Sequence, residues 1–367
     1  MLQILKGVTC AVMLLTLTAA GGAGAQEVEK GEWIDLFDGE TLFGWTVMDD
    51  SQWEVDDGIL EASGGTGGWL ASSGQFMDFE LEVVLRLRKK NTTGIVVRSP
   101  LDGHYSENDA GVVPLAEPED SDSPWRTVNV TALEDTIAAT VDGEAVEGLS
   151  SANRTGHIGI QYHAYRNKVE VKSVRLRPLV LTPIFDGQSL DGWNIIPGRQ
   201  SKFKVVDGAI NIIDGNGQIE TDNLYKNFLL QLRIISNGEH LNSGVFFRGP
   251  KGVFWKGYES QVRNQWMRDD RTRPVDYGTG GIYGVQAARK VVASDGEWFT
   301  KTILCNGNHI AVWIDGYLAA DYIDTRAPVD DGNGKAGYVA GPGTIHLQGH
   351  DPTTDLSFKD INIQVYP

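Results

Sequence analysis

Three short runs in the second half of the chain place chemistry-bearing side chains at every second position: Asn242, Gly244, Phe246 and Arg248; Glu259, Gln261 and Arg263; His346, Gln348 and His350. Alternate residues of a β-strand share a face, so as neighbouring strands these runs predict three polar rows on a concave, water-facing sheet. Trp255, Tyr258, Trp266, Tyr277 and Tyr283 lie nearby in sequence and offer flat rings against which pyranose C–H faces pack. Polar groups among aromatic rings suit a sugar. Each residue also has a plainer use. A strand-borne Glu259 is commonly an exposed charge, Arg248 serves as a structural ion-pair partner as readily as a substrate clamp, and His350 fits a turn.

Familiar catalytic signatures are missing. The chain has no GxSxG elbow, no HExxH, no phosphate loop and no dinucleotide fingerprint, which argues against serine hydrolases, zinc proteases and nucleotide enzymes. A direct glycosidase needs two carboxylates about 5–10 Å apart, for which Glu259 has candidate partners in Asp269, Asp270, Asp276 and Asp351. The same acids with His350 are candidates to hold a divalent cation, without a diagnostic ligand spacing.

The elements that position these residues repeat. FDGETLFGW at Phe37–Trp45 returns as FDGQSLDGW at Phe185–Trp193, WEVDDGIL at Trp53 as FKVVDGAI at Phe203, and TTGIVVRS at Thr92 as NSGVFFRG at Asn242. The offset is close to 150 residues through these motifs, then 173 at Trp125/Trp298 and at Asp142–Gly143/Asp315–Gly316, then 187 at the Gln161/Gln348 strand. Copy two therefore carries 23 extra residues before Trp298 and 14 more before the Gln348 strand. Apolar residues alternate in DFELEVVLRLR and KTILCNGNHIAVWIDG, bounded by Asp-Gly and Asn-Gly turns, the pattern of antiparallel hairpins. This predicts an all-β protein of two tandem sandwiches: residues 32–178, a linker over 179–183, and residues 184–367. The repeat-equivalent Trp45, Trp193, Trp125 and Trp298 read as core, and the acidic stretches Glu117–Asp122 and Asp330–Gly334 as solvated loops.

Composition agrees. In 367 residues Asp+Glu outnumber Lys+Arg by 49 to 32, a net charge of −17, which gives no electrostatic reason for a nucleic-acid partner. Residues 1–25 carry Lys6, an apolar stretch and small residues before a plausible cleavage point, the pattern of a secretory signal peptide, followed by a short tail over 26–31. This predicts export to the periplasm or medium. No other segment approaches the roughly 20 apolar residues of a membrane span. Cys305 is then the single cysteine left in the exported chain, so its stability rests on the core. Sequence sets no oligomeric state.

The ordered motifs FDG-x-x-L-x-GW, NSGVFFRG, YESQ, TGGIYG, GEW, IDG and LQGHDPTTDLSFKDI resemble the 3-keto-disaccharide hydrolase domain family. This family is also described as 3-keto-glucoside 1,2-lyase/2-hydroxy-glucal hydratase and was formerly known as domain of unknown function 1080. The resemblance covers residues 183–367 with nearly all motifs; residues 32–178 match more weakly and lack YESQ and TGGIYG. It implies a concanavalin A-like, jelly-roll fold, a degenerate first copy with a supporting or sugar-binding role, and a 3-keto glucoside or disaccharide as substrate. A ketone at C3 acidifies C2–H, so the chemistry needs one base, an oxyanion stabiliser and an acid for the leaving group. Matched to the motifs, His350 or Glu259 is the base and Tyr283 a proton or hydrogen-bond donor. Arg248 and Gln261 orient the sugar, with Asn242, Gln348 and Trp255 as further binding residues. A divalent cation is a candidate enolate stabiliser. The competing expectations are a lectin-like binding protein and an accessory domain pair.

Overall fold

The computed structural model describes residues 28–88, 93–102, 110–115, 124–163 and 168–367. The expected signal peptide and the acidic run Glu117–Asp122 lie outside them. Every strand pair within the sheets is antiparallel, and no described helix is long and apolar enough to cross a membrane.

Copy two is a sandwich. Its larger sheet runs Lys202–Val206, Ala209–Ile213, Asp355–Val365, Phe228–Ser236, Phe299–Asn306, His309–Ile314, Tyr317–Ile323, with Thr182–Pro183 added on Asp355–Val365. The smaller runs Trp193–Ile195, Gly217–Thr221, Thr344–Gly349, Ser243–Gly249, Tyr258–Val262. Copy one repeats this order, but its strand Ile59–Phe76 passes unbroken through both sheets: Leu60–Ala62 pair with the Lys168–Pro178 strand and Gly68–Phe76 with Gly156–Tyr162. The copy-two equivalent is cut by Asp214 and Gly215, both at positive φ, so its two sheets are separate. Together the copies form two tandem jelly-roll sandwiches.

Burial follows alternation. In Phe79–Arg88, Leu81, Val83, Leu85 and Leu87 are buried, while Glu80 and Glu82 on the outer face pair with Arg177 and Arg175. The larger sheet of copy two is apolar on both faces. Leu230, Ile303 and Val312 enter its own core, whereas Leu229, Leu304, Ala311 and Trp313 pack into the core of copy one, with Trp313 6.4 Å from Phe76 between ring centroids. Polar contacts frame this seam: Asp35 N donates to Gly316 O at 2.9 Å and Arg289 to Asp38 at 2.7 Å and Thr41 at 3.0 Å.

One expectation is corrected. Trp45 and Trp193 lie against the two cores, their indoles donating to Leu36 O and Ile184 O. Trp125 and Trp298 do not enter them: Trp125 lies beneath Arg86, and Trp298 beneath Lys359 and Arg233, as cation–π partners. A tryptophan at a strand start buries one ring face under a neighbouring cation as readily as in a core.

Candidate functional site

The smaller sheet of copy two turns Ile219, Val245, Phe247, Tyr258, Val262 and Leu347 into the core, which leaves the alternate residues on its concave face. The register pairs Gln218 with Gln348, Glu220 with His346, Gly244 with Gln261 and Phe246 with Glu259. The strands of all three expected polar rows are therefore consecutive, Thr344–Gly349 beside Ser243–Gly249 beside Tyr258–Val262, and the Gly217–Thr221 strand adds Gln218 and Glu220, which the sequence reading did not single out. Gly244 makes room: a Cβ there would stand 2.6 Å from Glu259 Oε1.

Long segments cover this face. Residues 250–257 bring Trp255, whose N–H donates to Gln218 Oε1 at 2.8 Å. Residues 263–298, which contain most of the 23-residue excess, bring Asp276, Tyr277 and Tyr283. Asp276 Oδ2 accepts from Asn242 at 2.8 Å and Gln261 at 3.1 Å, with Arg263 at 3.4 Å. Asp276 and Tyr277 both sit at positive φ, a backbone cost met at functional turns. Residues 324–343, which contain the 14-residue excess, bring Lys335. Arg326 fastens this segment by donating to Gly334 O, Lys335 O and the buried Asp324, whose carboxylate also accepts from Tyr258.

Lys335 Nζ stands 4.0 Å from the Trp255 ring and 4.1 Å from the Tyr283 ring, and 3.3 Å from Glu259 Oε2. The contact is an ion pair, and neither atom has a further hydrogen-bond partner in the protein. Burial pushes the Glu259 carboxyl up to about 7, with Asp276 adding to the rise and Lys335 and Lys301 opposing it. Burial likewise lowers Lys335, against the pull of Glu259. Among the described residues seven buried side-chain polar atoms lack a hydrogen-bond partner, and five are here: Gln218 Nε2, Asn242 Oδ1, Glu259 Oε2, Lys335 Nζ and Gln348 Oε1. Native proteins leave few such atoms, so five on one face make it the candidate site.

The structure thus brings together Glu259, Gln261, Asn242, Gln348, Trp255 and Tyr283. It corrects Arg248. A bulge after Phe246 and a φ of 53° turn this residue off the concave face. Its guanidinium donates to Lys226 O, Val339 O and Asn227, and Arg98 does the same in copy one with Met77 O and Glu134 O. Both arginines hold loops. His350 ends its strand beside Asp351 at 3.0 Å with its side chain 40% exposed. It lies four residues along and two strands across from Glu259, about 15 Å by strand spacing. His346 is buried, stacked near Phe246 and lowered to about 4 by desolvation, a neutral partner for Thr344. Among the described residues no three His, Cys, Asp or Glu side chains are grouped as metal ligands, so the described acids and His350 do not form the expected cation site.

Copy one departs from expectation at the same face. The register puts Val112 at the place of Glu259, Pro114 at that of Gln261, and Trp69 and Ala71 at those of Gln218 and Glu220. Trp69, Ala71 and Val96 form a buried apolar cluster, with the Trp69 ring against Gly159. Among the described residues, this face keeps Gln161 at the place of Gln348 but has no counterpart of Glu259, Gln261, Gln218 or Glu220.

Among solved structures, a Parabacteroides distasonis protein described as a "putative glycosyl hydrolase" is 22% identical, over 51% of this chain and 94% of that one, with a TM-score of 0.42. Carbohydrate binding module CBM66 from Bacillus subtilis is 15% identical, over 47% and 95% of the respective chains, with a TM-score of 0.34. No curated protein matches the chain. Residues 32–177 and 181–364 each match one carbohydrate-active domain family: the chain belongs to the 3-keto-alpha-glucoside-1,2-lyase-like domain family.

Proposed function

We propose that copy two cleaves 3-keto-glycosides by elimination, with Glu259 as the base that removes the C2 proton. The observation that carries this reading is the convergence on one covered face of five buried polar atoms without a hydrogen-bond partner, the ion-paired Glu259 carboxylate oxygen and Lys335 ammonium among them. A carboxyl held near neutrality is matched to proton transfer at neutral pH. Glu259 takes the C2 proton and the electron pair moves onto the C3 oxygen as an enolate. Lys335 supplies the positive charge that this oxygen needs. The enolate then returns its electrons, the C1–O bond breaks, and the departing oxygen takes up the proton that Glu259 removed. The products are the aglycone alcohol and a 2-hydroxy-glucal bearing the ketone, to which water can add.

Gln218 Nε2, Gln348 Oε1 and Asn242 Oδ1 are the partners for ring hydroxyls in this scheme. Trp255, which is 49% exposed, and Tyr283 hold Lys335 against their rings beside Glu259. One carboxylate suffices, so the scheme needs no paired acids. His350, at the sheet end, takes no proton in it. Export directed by residues 1–25 belongs to the same proposal.

The test is an aryl glucoside beside its 3-keto derivative. Release of the aryl alcohol from the ketone alone is expected, with Glu259→Gln slowing it by about 10²–10⁴. Equal turnover of the unoxidised glucoside contradicts the reading. Retention of the sugar without release would make this a carbohydrate-binding protein.

A further inference from the structure

Lys301 is fully buried in the core of copy two, where an ammonium is strongly disfavoured unless its donors are satisfied. It leaves the larger sheet on Phe299–Asn306 and reaches across the sandwich to Tyr258–Val262, the edge strand of the smaller sheet. There Nζ donates to Ser260 O at 3.0 Å, Ser260 Oγ at 2.9 Å and Gln261 O at 2.7 Å. Three acceptors match the three donors of an ammonium. Burial pushes Lys301 well below the usual lysine range, and Glu259 pulls it back.

The repeat supplies an internal control. The 173-residue offset places Val128 at the position of Lys301, and strand register places Val113 at that of Ser260. Val128 and Val113 are buried apolar neighbours of the same core. Copy one thus builds the same sandwich without a lysine, and it also lacks Glu259, with Val112 in its place.

We propose that Lys301 is a positioning residue for the Glu259 site, pinning from inside the core the edge strand that carries Glu259 and Gln261 and setting a positive charge behind the Glu259 carboxylate. The charged groups acting on Glu259 are Lys335 and Asp276 from the covering segments and Lys301 from the opposite sheet, with the Tyr283 hydroxyl also facing it. Without Lys301, only Lys335 opposes burial and Asp276, and Glu259 keeps its proton to higher pH. The catalytic consequence rests on Glu259 being the base; the charge relation does not.

The test uses the full chain with the double substitution Lys301→Val/Ser260→Val, which installs the copy-one pair, and with Lys301→Met alone. Three quantities are read: thermal unfolding, the Glu259 carboxyl titration by ¹³C NMR, and kcat/KM against pH on a 3-keto-glucoside. The double variant is expected to keep or raise its Tm, to shift the Glu259 midpoint up, and to lose kcat/KM below that midpoint in proportion to the shift, about tenfold for each pH unit. A folded double variant with an unmoved midpoint overturns the proposal, and so does a lowered Tm with an unmoved midpoint, which makes Lys301 only structural. Should the double variant not fold, the midpoint in Lys301→Met decides. If the wild type leaves 3-keto-glucosides intact, the proposed reaction fails while the titration still decides the role of Lys301.

Discussion

Glu259 lies over Gly244 with one carboxylate oxygen ion-paired to Lys335. A carboxyl raised to about 7 from an ordinary value near 4.5 has a definite sign in stability. The folded state holds the proton that the unfolded chain releases between pH 4.5 and 7, so the Glu259 contribution is full below pH 4.5 and is lost as pH rises through 7. Glu259→Gln is therefore expected to gain stability over wild type on going from pH 4.5 to pH 8, by on the order of 3 kcal/mol, in urea unfolding at the two pH values. Equal differences at both would contradict the burial of this charge. Arg248 makes the opposite case. Arg248→Leu removes donors from two backbone carbonyls and Asn227, so a fall in stability of about 3 kcal/mol is expected. KM should stay unchanged wherever the variant is folded; a raised KM without a stability loss would return Arg248 to the substrate.

At the scale of elements, strand alternation made the polar rows of Asn242, Glu259, Gln261 and Gln348 legible, because period two decides which side chains share a face. It misled at Arg248, where a bulge resets the alternation, a backbone event without a residue signature in RGPK. It also passed over Gln218 and Glu220, although GQIET at the place of copy one's GWLAS carries the contrast between polar and apolar faces. Lys335 escapes the alternation argument for a different reason: it follows the acidic stretch Asp330–Gly334, and loop residues show no periodicity from which a face can be read. The signal that finds it is length, since the segments that cover the site contain copy two's extra residues. Arg326 is the fastening of one such segment. Arg326→Lys loses the forked donors while keeping the charge, and is expected to reduce kcat/KM on a 3-keto-glucoside by about tenfold or more with a small change in Tm. Unchanged kcat/KM would mean that the Lys335 segment is held by other contacts.

The whole molecule joins two sandwiches of one family with unequal faces. Copy one has Trp69, Val96 and Val112 where copy two has its polar site, yet it covers Leu229, Leu304 and Trp313 on the back of copy two's larger sheet. An exposed apolar sheet face associates, so residues 181–367 expressed alone are expected to self-associate in light scattering, and the substitutions Leu304→Lys and Trp313→Lys in that fragment to restore a monomer. A monomeric unsubstituted fragment would show that the seam is dispensable.

The reaction proposed for copy two begins with removal of the C2 proton of a 3-keto-glycoside by Glu259. The most direct measurement is NMR of a 3-keto-glucoside in deuterated water with wild type, Glu259→Gln and His350→Ala. Wild type and His350→Ala are expected to release the aglycone, with deuterium at C2 of the recovered 3-keto-glucoside and of the hydrated product, and Glu259→Gln to do neither. Exchange that persists in Glu259→Gln and vanishes in His350→Ala would contradict the role of Glu259 as base.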